Sequence, residues 1–168
     1  RQVLSGDFGT SVLTTNPVLS DIARVFPATM ELATVGTIIG VLFGVPLGIL
    51  AAVKRGSIAD QIVRVIGLIG YSVPIFWLGL LALLFFYAKL NWVAYPGRVD
   101  IVYEYSFTPV TGFYLLDAAM QRQWDVLWDL FRHIILPGAL LGYFSLAYIS
   151  RMTRSFMLNE LSQEYIVA

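Results

Sequence analysis

The sequence predicts an all-α integral membrane protein. Three observations predict it. Hydrophobic residues make up 58% of the 168-residue chain and charged residues only 13%, whereas a soluble domain is nearer half apolar and a quarter charged. Apolar runs of membrane-crossing length recur along the chain. The lysines and arginines of the connections gather at one end of those runs. The composition also excludes other classes: net charge is zero, which argues against a nucleic-acid surface. There is no cysteine, so disulfides, thiolate metal sites and cysteine nucleophiles are ruled out. The chain opens on Arg1 with no basic, apolar leader, and it is expected to be an internal piece of a longer protein.

Residues 1–28 are expected to form an external lead-in, because "GDFGTSVLTTNPV" is rich in turn formers and mixed in polarity. The first span is expected at about 29–53, where "TMELATVGTIIGVLFGVPLGILAAV" is almost entirely apolar. At ~1.5 Å per residue it is long enough for a hydrocarbon layer of ~30 Å. Gly36, Gly40, Gly44 and Gly48 recur every fourth residue within it. Apolar burial cannot drive helices together in lipid, so these glycines are read as a helix-packing face. Pro46 removes a backbone donor and is expected to bend the inner half. Glu31 lies near the outer end, where a hydrogen-bonded structural acid and a proton or substrate site are both open readings.

The second span is expected at about 65–88, "VIGLIGYSVPIFWLGLLALLFFYA", which carries no charge. Ser72 and Pro74 lie inside it. A proline here frees a carbonyl that another group must satisfy. The result is either a static kink or a flexible, partly unwound hinge that lines a path. The third span, about 134–150, is short and is diluted by Pro137 and Ser145. Before it, 91–133 forms a long loop. There Trp124, Leu127, Trp128 and Phe131 share a helical face, as an interfacial helix or a small helix packed on the loop would. His133, the one histidine, is expected to cap or to sit at the interface rather than to bind metal.

Direction follows from charge. The link 54–64 holds Lys54, Arg55 and Arg64, and Arg151 and Arg154 follow the third span. Both clusters are expected on the cytoplasmic side and the acidic 91–133 loop outside. Arg151 and Arg154, three apart on one helix face, are expected to anchor there to lipid phosphate or nearby carboxylates. No phosphate-binding loop, paired-histidine zinc motif or nucleophile elbow occurs. No enzyme activity, cofactor or metal is therefore expected, and if transport is energised the energy must come from another chain or an ion gradient.

Several stretches in order, "FPATMELATVGTIIGVLFGVPLGILAAVKRGSIAD", "GYSVPIFWLG", "TPVTGFYLLD", "HIILPG" and "RMTRSFMLNELSQEYIVA", resemble the type I ABC-importer permease family in its peptide/nickel branch. The pieces "GDFGTSV", "GRV" and "TGFYLLD" are most similar to B-type subunits of dipeptide importers. The resemblance implies that residues 29–168 are the N-terminal part of a type 1 transmembrane domain, incomplete, with three transmembrane helices here. It implies a second permease subunit as heterodimer partner, two cytoplasmic ATPase subunits, an external solute-binding protein and a bacterial inner membrane. Nickel, glutathione and haem are the family's alternative substrates. It also implies that the chain's last residues enter the loop that docks on the ATPase. On the preferred alignment Val167 takes the place of that motif's glutamate and Ala168 its first alanine. Glu164 then leads in, with Tyr165 packed beneath. The alternative starts the motif at Glu164. An ion-coupled transporter or channel is the rival class. It favours more ionisable residues deep in the spans than the single peripheral Glu31.

Overall fold

The structure, a computed structural model, describes residues 8–163. Pro17 stands at the N-cap of the first long helix, α1, Val18–Val53. Helix α1 therefore starts well before the expected Thr29. The apolar run is interrupted there by Asp21 and Arg24, but these pair at 3.6 Å along the helix surface. The acid also lies in the first turn, where it complements the helix dipole.

A tight turn through Gly56, whose φ is +80°, leads into α2, Ile58–Ser72. The chain then breaks at Val73–Pro74 and resumes as α3, Ile75–Ala82, which continues as π-helix over Leu83–Lys89. The second apolar stretch is thus neither one helix nor a mild kink: its halves are bent by 104°. Pro74 has no N–H to carry the ladder on. Two short helices follow, α4 (Ile101–Glu104) and α5 (Tyr114–Met120). The last helix, α6, runs unbroken from Trp124 to Leu161. It absorbs the tryptophan-bearing segment, the expected third span and the arginine-bearing segment, passing straight through Pro137. His133 caps no helix end, since it lies within α6. It lies buried inside α6, its Nδ1 2.8 Å from the carbonyl oxygen of Asp129.

The glycine face of α1 packs on α6. A Cβ placed at Gly36 would lie 2.8 Å from Leu141 Cβ, at Gly44 3.0 Å from Ile149 Cβ and at Gly48 2.6 Å from Thr153 Cβ, and one at Gly40 would collide with Ser145. Each four-residue step along α1 is matched by a four-residue step along α6 in the same direction. The two helices therefore run parallel, backbone against backbone. Gly138 and Gly142 of α6 answer with close approaches to Val35 and Ile39.

Between them the chain returns. Asp60 bonds to Arg154, the Ile66 carbonyl accepts from Tyr143, Gly79 faces Leu140, and Ala94 bonds to Arg132. As the chain ascends through α2 and α3, its partners descend along α6. Two parallel long helices need one return crossing, and the broken α2–α3 pair makes it. Residues 91–123 do not form an open loop. Phe107 and Ala118 join Val126 and Leu130 of α6 in a small buried core, with Tyr103, Tyr114 and Leu115 packed against it.

Candidate functional site

Polar side chains gather at the two ends of this helical unit. At the end carrying Lys54 and Arg55, Ser57 caps α2 by accepting from the Asp60 N–H at 3.4 Å. The Asp60 carboxylate reaches back to accept the Gly56 N–H at 3.0 Å. It is also gripped by Arg154, Nε to Oδ1 at 2.7 Å and Nη2 to Oδ2 at 3.0 Å. Arg64 approaches the same carboxylate at 3.6 Å. Asp60 is almost wholly buried. A buried carboxylate persists only when paired and hydrogen-bonded, and these contacts supply both. One side chain thus ties the turn after α1, the start of α2 and the far part of α6 together. The fork of Arg154 suits this bidentate geometry.

Arg151, one turn before Arg154, takes a different partner: its guanidinium lies 4.6 Å above the Tyr71 ring, a cation–π contact. Arg64, Arg151 and Arg154 line a cavity of about 300 Å³ between α2 and α6, whose other walls include Gly67, Leu68 and Ala147.

At the opposite end Glu31 is hydrogen-bonded on both oxygens. Arg98 Nη2 donates at 2.8 Å and the Leu115 N–H at 2.8 Å. Helix α5 has no side-chain cap of its own. Glu31 therefore serves one of its free N–H groups from α1. Arg98 also donates to the Gly112 carbonyl at 3.0 Å and lies 3.6 Å above the Tyr114 ring. Gly112 has φ +86°, and a Cβ there would press to 3.0 Å on Pro27. Only glycine lets this turn lie against α1. A cavity of about 230 Å³ opens beside Glu31, Arg98 and His133.

Next to it, Asp117 is buried under four donors: the N–H groups of Val110, Thr111 and Gly112 and the Thr111 hydroxyl. Burial by itself would raise its carboxyl. The Thr111 hydroxyl and the three backbone N–H groups outweigh that, holding it below the usual carboxylate value.

The expected residues are distributed as follows. Gly36, Gly40, Gly44 and Gly48 meet α6 of the same chain. Glu31 accepts hydrogen bonds from Arg98 and the Leu115 N–H and lines a cavity. Ser72 and Pro74 flank the break between α2 and α3. Arg151 and Arg154 share a helix but hold an aromatic ring and a carboxylate, respectively. Glu164, Tyr165, Val167 and Ala168 lie outside the described residues. Asp60, Arg98 and Asp117 were not expected. Asp60 carried a signal, since it stands three residues after the capping Ser57 at the start of an apolar helix, a capping-box pattern. Arg98 and Asp117 carried none beyond their place in a loop rich in charges.

A membrane unit with a basic end and an opposite, folded acidic end fits a transport component. Residues 44–168 match the family described as binding-protein-dependent transport system inner membrane component. The chain belongs to this family. It is 43% identical over 96% of its length to the probable D,D-dipeptide transport system permease protein of Escherichia coli K12. It is 40% identical over 96% to the di/tripeptide transport system permease protein of Pseudomonas aeruginosa, and 41% identical over 98% to the dipeptide transport system permease protein of Escherichia coli K12. The chain spans about half of these relatives, 47%, 47% and 49% of their lengths. Among the described residues α1 and α6 are each long and apolar enough to cross a membrane, and the bent α2–α3 pair makes a third crossing if it is counted as one span.

Proposed function

We propose that the chain is the N-terminal part of the transmembrane domain, residues 29–168, of a permease subunit in an ATP-driven, binding-protein-dependent importer of dipeptides and short oligopeptides. The observation that carries this reading is the 40–43% identity over nearly the whole chain to dipeptide and di/tripeptide permeases. The subunit pairs with a second permease subunit, receives solute from an external binding protein and is driven by two cytoplasmic ATPase subunits. It performs no catalysis itself. The end bearing Lys54, Arg55 and the Asp60–Arg154 pair faces the cytoplasm, and the folded 91–123 segment faces outward. Glu164 and Tyr165 lead from the end of α6 into the ATPase-docking segment that Val167 and Ala168 begin.

The test is uptake of a labelled dipeptide by cells expressing the full-length protein with its neighbouring transport genes. Uptake should vanish when the ATPase gene is deleted and should survive collapse of the proton gradient while ATP is maintained. Uptake that persists without the ATPase and stops with the gradient would make the protein an ion-coupled transporter. Sidedness is read separately, with single cysteines at Arg55 and Tyr105 and an impermeant thiol reagent. Labelling at Tyr105 and not at Arg55 is expected from outside; the reverse pattern would invert the orientation.

A further inference from the structure

The break between α2 and α3 leaves main-chain groups without partners. The Val73 N–H closes α2 on the Ile69 carbonyl, and the Trp77 and Leu78 N–H groups both bond to the Pro74 carbonyl. Pro74 has no N–H to give the Gly70 carbonyl. Among the described residues no donor reaches the carbonyls of Gly70, Tyr71, Ser72 and Val73, and no acceptor reaches the N–H groups of Ile75 and Phe76. Ser72 is exposed, and its hydroxyl has no partner among them either. These groups lie well inside the apolar part of the unit. A Cβ at Gly70 would lie 2.8 Å from the Ala147 Cβ, and Gly79 faces Leu140. The break therefore sits beside residues 140–147 of α6. The same stretch of α6 packs on Gly36 and Gly40 of α1, within a run from Leu32 to Val53 that carries no charge.

We propose that the α2–α3 break faces a water-filled cavity of the assembled protein, rather than acyl chains or a packed neighbour. Hydrocarbon offers nothing to hydrogen-bond, so open main-chain groups at this depth do not face lipid. A neighbouring transmembrane helix has its own main-chain groups bonded within itself and can answer only with side chains. Carbonyls, N–H groups and a hydroxyl crowded between Gly70 and Phe76 would need several such side chains, donors and acceptors both. Water supplies both kinds at once. Residues 65–88 carry no charge, so the polar wall they offer to that cavity is mostly main chain. Such a wall bonds to the polar groups of a solute without selecting on its side chains, which pockets would do. That consequence rests on the importer reading above, and it suits short peptides of differing sequence.

The test uses the full-length protein in its native complex, in lipid nanodiscs, and reads amide hydrogen exchange residue by residue by mass spectrometry. The Ile75 and Phe76 amides should exchange at least about a hundredfold faster than the Leu80 amide, which lies inside the ladder of α3. A second reading uses single cysteines and a charged methanethiosulfonate reagent, with and without ATP. Ser72→Cys should be modified in at least one of these states. Leu42→Cys, on the apolar run of α1 at 61% exposure, should be modified in neither. Equal protection of Ile75, Phe76 and Leu80 would overturn the proposal and assign the open groups to a packed protein segment. So would a Ser72→Cys variant left unmodified in both states, or modified no faster than Leu42→Cys. Neither measurement involves peptide uptake, so failure of the importer reading and failure of this one are told apart.

Discussion

Asp60 and Arg154, 94 residues apart in sequence, share two hydrogen bonds of 2.7 and 3.0 Å at the basic end of the helical unit. Removing one member of a buried pair leaves the other charge uncompensated, which costs about 3–5 kcal/mol when both are fully buried. The Arg154 side chain keeps 21% of its surface exposed, so the lower end of that range, about 3 kcal/mol, is expected. Asp60→Asn and Arg154→Gln should each lower the abundance and melting temperature of the full-length protein. Arg154→Lys should recover only part of the loss, because an ammonium cannot make the fork. A melting temperature unchanged in both single variants would show that the pair does not hold α2 to α6.

The α1–α6 contact makes a sharper demand. Gly40 and Gly44 sit where any side chain would collide with Ser145 or Ile149. Gly40→Leu and Gly44→Leu should therefore separate the parallel helices and abolish assembly, since lipid offers no hydrophobic force to restore close contact. Ile38, on the exposed side of α1 at 58% exposure, should tolerate truncation to Ala. Comparing membrane abundance with transport in each variant checks this. Normal transport in both leucine variants would remove the glycine face from the packing scheme.

Much of this arrangement was legible in the sequence, and the gaps have physical reasons. The four-residue glycine period marks a close-packing face because few other roles in lipid call for it. Its partner was hidden because Ser145 read as a flaw in an apolar run and Thr153 lay beyond the expected span, when small polar residues are what such a face accommodates. The ends of the helices were misplaced for a related reason. Hydropathy locates the bilayer, whereas α1 and α6 continue beyond it, and Asp21 and Trp124 lie in that extension. The break at Pro74 was visible as a proline, but a 104° bend depends on α2 and α3 docking separately on α6. Asp117 was lost among the loop's acids, since only the fold distinguishes a carboxylate under four donors from one in water.

Asp117 gives the loop a predictable response to acid. Its folded-state carboxyl is lowered relative to the unfolded value of about 3.9. Between the two values the folded state binds fewer protons than the unfolded state. The stabilisation is therefore fully present above the unfolded value and is lost as pH falls through the folded one. Protection of the Phe107 and Gly112 amides from hydrogen exchange, relative to the intrinsic rate at each pH, should hold from pH 7 down to about 4 and fall below it. Thr111→Val removes the hydroxyl donor at 2.8 Å, raises the folded value toward the unfolded one, and should shrink the protection that is lost on acidification. An identical loss in the variant would mean the hydroxyl does not hold the carboxylate.

The break between α2 and α3 is where structure and transport are expected to meet. Pro74 stands at the N-cap of α3 with φ −60° and ψ 130°, so the backbone is extended there. The Val73 N–H closes the last turn of α2 on the Ile69 carbonyl, and the Trp77 and Leu78 N–H groups open α3 on the Pro74 carbonyl. Pro74→Ala restores one N–H and allows residue 73 a helical conformation that proline disfavours. In lipid the new N–H must find an acceptor, and a continuous ladder provides one. The variant should therefore straighten the crossing and pull α3 away from Gly79's contact with Leu140. If the bend lines the solute path, uptake should fall several-fold while membrane abundance stays near normal. Pulsed electron double-resonance distances between spin labels at Ile62 and Leu81 give the geometry, and labelled-dipeptide uptake gives the rate. A changed distance with unchanged uptake would make the break an architectural joint, and an unchanged distance would show that docking on α6, rather than the proline, sets the bend.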